Sequence, residues 1–123
     1  MRDKVIAFDL DDVICYRDNE QGNVNKYFSC KPYYDMIDLV NQCYDQGAHI
    51  VIYTARGMTS FSGNPHDIYH NLYELTKNQL DDWGVRYHKL AMGKLHYDLL
   101  IDDKAVSSYD VKGIKYIKEM LNE

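Results

Sequence analysis

The sequence predicts an α/β fold, a three-layer, doubly wound (Rossmann-like) parallel sheet, and three observations lead there. Short β-rich apolar runs alternate with stretches of helical periodicity, each main run ends in polar or acidic residues, and the length suits one domain. Alternation of this kind implies right-handed β-α-β units, with ligands bound outside the carboxyl ends of the strands. Splitting 123 residues into two cores would leave each too small to offset its ordering entropy. Residues 1–123 therefore read as a single domain.

Lys4 to Leu10 is the first apolar run, ending in Asp9-Leu10-Asp11-Asp12. Met36, Ile37, Val40, Cys43 and Tyr44 follow at helical spacing, with Pro32 suited to the first turn and Gly47 to the end. Ala48 to Tyr53 is a second strand, continuous enough in apolar character to imply cover on both faces, and it leads into Thr54-Ala55-Arg56-Gly57. A second helix is predicted from about Pro65 to Trp83, capped by Asn64, striped by Ile68, Leu72 and Leu75, and stopped by Gly84. Val85 to His88 is a weaker strand, and Tyr97 to Ile101 another, ending in Asp102-Asp103-Lys104. Ile114, Ile117 and Leu121 share a face of a third helix near the C-terminus.

A hydrophobic fraction of 46% with 27% charged residues is that of a soluble globular protein, and no apolar run approaches the length that crosses a bilayer. Val5 to Phe8 is too short and wrongly flanked for a signal peptide, so the expected location is the cytoplasm. The three cysteines, Cys15, Cys30 and Cys43, have no C-x-x-C spacing and indicate neither a disulfide framework nor a zinc site. A net charge of −5 argues against wrapping a long polyanion.

Nucleophile, acid/base, hydroxyl, cation and a hard-metal site are what phosphoryl transfer from a monoester requires, and the strand ends together carry all of them. F-D-L-D-D-V at Phe8 to Val13 resembles the D-x-D-x-[TV] signature of the haloacid dehalogenase (HAD) superfamily of phosphatases. Thr54 then falls at the second motif, Lys94 at the third and Asp102-Asp103 at the fourth, in order along the chain. G-K-x-x-x-D-x-x-I-D-D-K-A at Gly93 to Ala105, with Y-T-A-R-G, resembles more narrowly the short capless phosphatases found with capsule and surface-polysaccharide genes.

The resemblance implies a HAD-like core without a cap domain and a Mg²⁺-dependent phosphatase acting on a sugar phosphate or related metabolite. It implies that Asp9 attacks phosphorus to form an aspartyl-phosphate, and that Asp11 serves as general acid and then base. Asp9, the main-chain carbonyl of Asp11, and Asp102 would hold Mg²⁺, with Asp103 supporting them. Lys94 and Thr54 would hold the phosphoryl oxygens. A carboxylate approaching a phosphate meets a repulsion of about 4 kcal/mol per unit pair at ~4 Å, which a bound cation offsets.

Other readings stay open at this stage. Lys89 and Lys104 lie near Lys94 in the sequence and compete for its role, and Arg56 suits either a substrate contact or a structural ion pair. The histidines share no metal-ligand spacing, and the twelve tyrosines suit packing or an interface as well as sugar stacking. Residues 14–31 suit a hairpin flap turning at Gly22-Asn23, with Arg17 and Lys31 as substrate contacts. With no room for a cap, a homo-oligomer, dimer or tetramer, is expected to close the open site. A nucleic-acid end phosphatase or nucleotidase is the alternative enzyme, and a receiver-like phosphoacceptor module the alternative outside enzymes. A receiver's acid pair and acceptor Asp stand on different strands, whereas Asp9 and Asp11 stand together.

Overall fold

The computed structural model describes residues 1–17 and 24–110. The elements are β1 (Val5–Asp9), β2 (Cys15–Arg17), a 3-10 helix (Val24–Ser29), β3 (Cys30–Pro32), α1 (Tyr34–Asp45), β4 (His49–Thr54), α2 (Pro65–Asp82) and β5 (Lys89–Met92). β1, β4 and β5 form a parallel sheet in that order, and β2 and β3 a separate antiparallel ribbon. The ribbon occupies the ends of the stretch expected to form a flap. The Gly22-Asn23 turn and the helix expected over 114–121 lie outside the described residues.

Parallel register sets Phe8 beside Ile52, Ile52 beside Leu90, and Thr54 beside Met92. Side chains alternate across a strand, so these residues share one face, and all are buried. Against that face α1 turns Met36, Ile37, Val40 and Cys43, and α2 turns Ile68, Leu72, Thr76 and Leu80. Each full burial of a Val, Leu or Ile side chain contributes about 1.5–3 kcal/mol. Asn64 caps α2, its Oδ1 accepting from Asp67 N at 3.1 Å, with Pro65 in the first turn where a missing N–H costs nothing. Pro32 is not in the first turn of α1; it belongs to β3, opposite Cys15.

The predicted three-layer, doubly wound core is overturned. Three parallel strands, a two-stranded ribbon and two α-helices among the described residues are too few for a HAD-like doubly wound sheet. The physical reason lies in the strand order. From β1 to β4 to β5 the chain always steps the same way, and right-handed crossovers in one direction lay α1 and α2 on the same face. A doubly wound sheet needs the order to reverse, and Tyr97 to Ile101, read from the sequence as a further strand, forms none. Leu99 is 76% exposed and Ile101 90%. The second face of the sheet is correspondingly open: Val5 is 69% exposed and Tyr53, Ala7 and His49 are also exposed, so β4 is not covered on both faces.

Val85 to His88, expected as a weaker strand, is not one; the strand lies just after it, at Lys89–Met92. His88 still joins the sheet, its N–H donating to Ile50 O at 2.9 Å and its Nδ1 accepting from Ile50 N at 3.0 Å. Among the described residues, no helix is long and apolar enough to cross a membrane.

Candidate active site

Asp9 is the last residue of β1, Thr54 the last of β4, and Lys94 stands two residues past β5, so the carboxyl ends of three adjacent strands converge. Two turns fix them there. The Leu10 carbonyl accepts from the amides of Val13, Ile14 and Cys15 at 3.2, 2.8 and 3.1 Å, and Asp12 at its centre takes a left-handed φ of 68°. Gly93, at φ +91°, turns the chain after β5, and Lys94 N donates to Thr54 O at 3.0 Å.

One oxygen of Asp9 accepts from Leu10 N at 2.8 Å, and the other lies 3.5 Å from Lys94 Nζ. The Asp9 side chain is 36% exposed, the only part of this trio open to a ligand to that degree, against 16% for Lys94 and a buried Thr54. Burial pushes the Asp9 carboxyl above its ordinary range, although the Leu10 amide and Lys94 pull against it and Asp11 adds to the rise. Burial also pulls the Lys94 ammonium down, but its bond to the Tyr97 hydroxyl at 2.9 Å and the Asp9 charge leave it raised. Lys94 is thus the lysine beside Asp9, whereas Lys89 opens β5 at the far end of the strand and Lys104 is exposed beside Asp102.

Asp11 faces a different neighbourhood. Arg56 donates Nε to its Oδ2 at 3.0 Å and Nη2 to its Oδ1 at 3.0 Å, a two-pronged pair with the guanidinium side chain 0% exposed. Nη1 donates to Thr76 Oγ1 at 3.1 Å and Gln79 Oε1 at 2.6 Å, and Nη2 also approaches Cys30 Sγ at 3.5 Å and Cys15 Sγ at 3.7 Å. The Tyr27 ring lies 4.8 Å from the guanidinium carbon. With its N–H groups so engaged, Arg56 holds Asp11 in place and presents nothing to a substrate. Gly57 completes this turn: at φ +81° a Cβ would meet Leu72 Cδ1 at 2.7 Å, so the backbone requires glycine on both counts.

Of the other expected site residues, Arg17 and Lys31 are exposed on β2 and β3. Asp102 and Asp103 are exposed as well. Asp102 Oδ1 accepts from Lys104 N at 2.8 Å, and that bond together with Asp103 holds its carboxyl low. Among the described residues neither acid bonds to Asp9, Asp11, Thr54 or Lys94, so one chain sets Lys94 beside Asp9, holds Asp11 on Arg56, and leaves Asp102 and Asp103 apart. Asp11, Cys15 and Cys30 place a carboxylate oxygen and two thiols within 4.8 Å of one another. That cluster does not fit a further cation, because the Arg56 guanidinium already occupies it, its Nη2 approaching both sulfurs and bonding to Asp11.

Sequence reasoning missed the cage around Arg56 and the Tyr97 contact. A signal for the cage exists: Thr76 continues the four-residue step of Ile68 and Leu72, a polar residue on an apolar stripe that must find a buried partner.

No protein-family model matches the chain, and no curated protein does. Among solved structures it is similar to the crystal structure of an MCSG target from Vibrio cholerae, 26% identical, with a TM-score of 0.80 over 97% of this chain and 97% of that one.

Proposed function

We propose that this chain is a Mg²⁺-dependent phosphomonoester hydrolase working through an aspartyl-phosphate at Asp9, on a sugar phosphate or related small metabolite in the cytoplasm. One observation carries the reading: a half-exposed carboxylate at a strand end, one oxygen fixed by the Leu10 amide and the other 3.5 Å from Lys94. The order of the motifs resembling HAD phosphatases supports the chemistry, and the narrower likeness to capsule and polysaccharide phosphatases supports the substrate class.

The donor set suits a hard cation. Asp9 and the main-chain carbonyl of Asp11 offer oxygen only, and burial disfavours the Asp9 charge by more than Lys94 offsets, which a further cation would relieve. Asp102 and Asp103 would complete the ligand set. When bound, the ion supplies positive charge that offsets repulsion between Asp9 and the incoming phosphate.

The residues then act as follows. An Asp9 oxygen bonds to phosphorus as the ester P–O bond breaks, and Asp11 delivers a proton to the departing alkoxide. Water then attacks phosphorus, Asp11 takes its proton, and the bond to Asp9 breaks, freeing phosphate. Lys94 and Thr54 steady the phosphoryl oxygens. Thr54 Oγ1 accepts from Arg56 N at 3.1 Å, which leaves its hydrogen to donate. Arg56 fixes the position of Asp11 for both proton transfers.

The test is a panel of sugar phosphates, nucleotides and 3′-phosphorylated DNA, assayed with Mg²⁺ and with a chelator. Hydrolysis of sugar phosphates that the chelator silences, and that Asp9→Asn lowers by at least ~10³-fold, is the expected result. Preference for nucleotides or DNA ends would transfer the chain to the alternative substrate class. Phosphorylation of Asp9 by acetyl phosphate without turnover would identify a phosphoacceptor module instead.

A further inference from the structure

β1 is an outer strand of the sheet, and beyond it no strand pairs among the described residues. His49 N donates to Lys4 O, so the alternation of a parallel ladder turns the backbone groups of Val5, Ala7 and Asp9 toward the free edge. The same chain carries a β-rich apolar segment, Tyr97 to Ile101, whose backbone makes no backbone hydrogen bond among the described residues. Leu99, Leu100 and Ile101 are exposed, and the segment ends in the two acids the site lacks. An open edge and an unpaired strand-like segment in one molecule call for each other.

Within one chain they cannot meet. Lys94 is tied to β4 by its amide and to Asp9 by its ammonium. From there to the far side of β1 is three strand spacings, about 14 Å. A parallel strand bringing Asp102 to the level of Asp9 would also have to begin about 15 Å back toward the amino end of β1, roughly 20 Å away in all. Leu95 and His96 are the only residues between Lys94 and Tyr97, and the three Cα steps reach at most about 11 Å. An antiparallel run still faces the 14 Å, and it would deliver Asp102 and Asp103 to the wrong end of the sheet.

We propose that two copies of this chain exchange residues 97–103, each laying Tyr97 to Ile101 along the β1 edge of the other and delivering Asp102 and Asp103 to the other's Asp9. Reciprocal exchange about a two-fold axis closes the assembly and pairs both edges. The segment has little to leave behind: its chain contacts the same molecule again at Ser108 and Tyr109, beside Asp12 and Tyr33, and Tyr109 stays exposed.

The part concerning Asp102 and Asp103 rests on the proposed hydrolase; the exchange itself does not, and two experiments separate them. In the first, Asp9→Asn chains are refolded together with Asp102→Asn/Asp103→Asn chains. Each variant alone is inactive, but a mixed dimer holds one intact site, so an equal mixture recovers about a quarter of wild-type activity. In the second, the full chain carrying Ala7→Cys and Leu100→Cys is oxidised gently and its disulfide-linked peptides are mapped from a mixture of isotopically light and heavy chains. Linkage between light and heavy chains is expected. A monomer in sedimentation, a link closed within one chain, or no link overturns the exchange. Inter-chain linkage without recovery of activity supports the exchange and removes Asp102 and Asp103 from the site.

Discussion

The two ends of this molecule treat polar and apolar residues in opposite ways. Around Arg56, six polar or aromatic groups from β2, the 3-10 helix, β3, α2 and the turn after β1 lie buried or half-buried, each engaged by the guanidinium or its partners. After β5, leucines, isoleucine and tyrosines stand in water. A buried cation needs its full set of partners within one fold, because each missing one leaves an uncompensated charge. An exposed apolar segment needs a partner too, and among the described residues the strand order supplies none. The contrast is that Asp11 is held by a complete set of partners, while among the described residues of a single copy the edge beside Asp9 has no partner strand.

The largest effect on this contrast is expected from Arg56→Met. Removing the buried cation leaves half-buried Asp11, Thr76 and Gln79 without their donor and should cost roughly 3 kcal/mol in urea denaturation. A loss under ~1 kcal/mol would show that the cage contributes little to the fold. Arg56→Lys should recover only part of that loss, since an ammonium lacks the two-pronged fork.

At the other end, inserting about eight Gly and Ser residues between His96 and Tyr97 adds roughly 26 Å of reach and lets the segment return to its own β1. Sedimentation should then show a shift from dimer to monomer with activity retained, and a dimer unchanged by the insertion would contradict the reach limit. A smaller effect comes from Ile101→Asp. In one isolated chain, a site 90% exposed tolerates a charge within about ±0.5 kcal/mol, whereas in an exchanged pair it weakens the dimer at least ~10-fold.

The smallest effect concerns Asp9. Burial raises its carboxyl in the folded protein above its unfolded value, so its favourable contribution exists at acid pH and is lost as pH rises through the folded pKa. At neutral pH the ionised side chain is a net cost. Asp9→Asn should therefore raise Tm by roughly 1–3 °C at pH 7, with the gain vanishing in acid, while abolishing turnover. A Tm that falls at pH 7 would show that the Lys94 attraction outweighs burial.

Helices were legible because their signals are local. Ile68 and Leu72 at four-residue spacing, Asn64 before Pro65 and Gly84 after the last turn locate α2 from chain chemistry alone. The strand ends were legible as well, since polar residues must leave an apolar sheet where it stops, and Asp9, Thr54 and Lys94 do converge there. Layer number was not legible. Apolar continuity in His49 to Tyr53 predicts cover on both faces, but cover depends on whether a later strand reverses the order, and two residues between Lys94 and Tyr97 prevent that within one chain.

The periodicity of each element, the acids and bases at the strand ends and the length of every connection are written in the order of residues. Which of those groups meet follows from packing. Arg56 went inward because Thr76, Gln79 and Asp11 surround its position after folding. Asp102 and Asp103 stayed out because reach is set by where Lys94 is anchored. Propensity and polarity act over a few residues, whereas the packing of three strands and two helices fixes distances that no local pattern records.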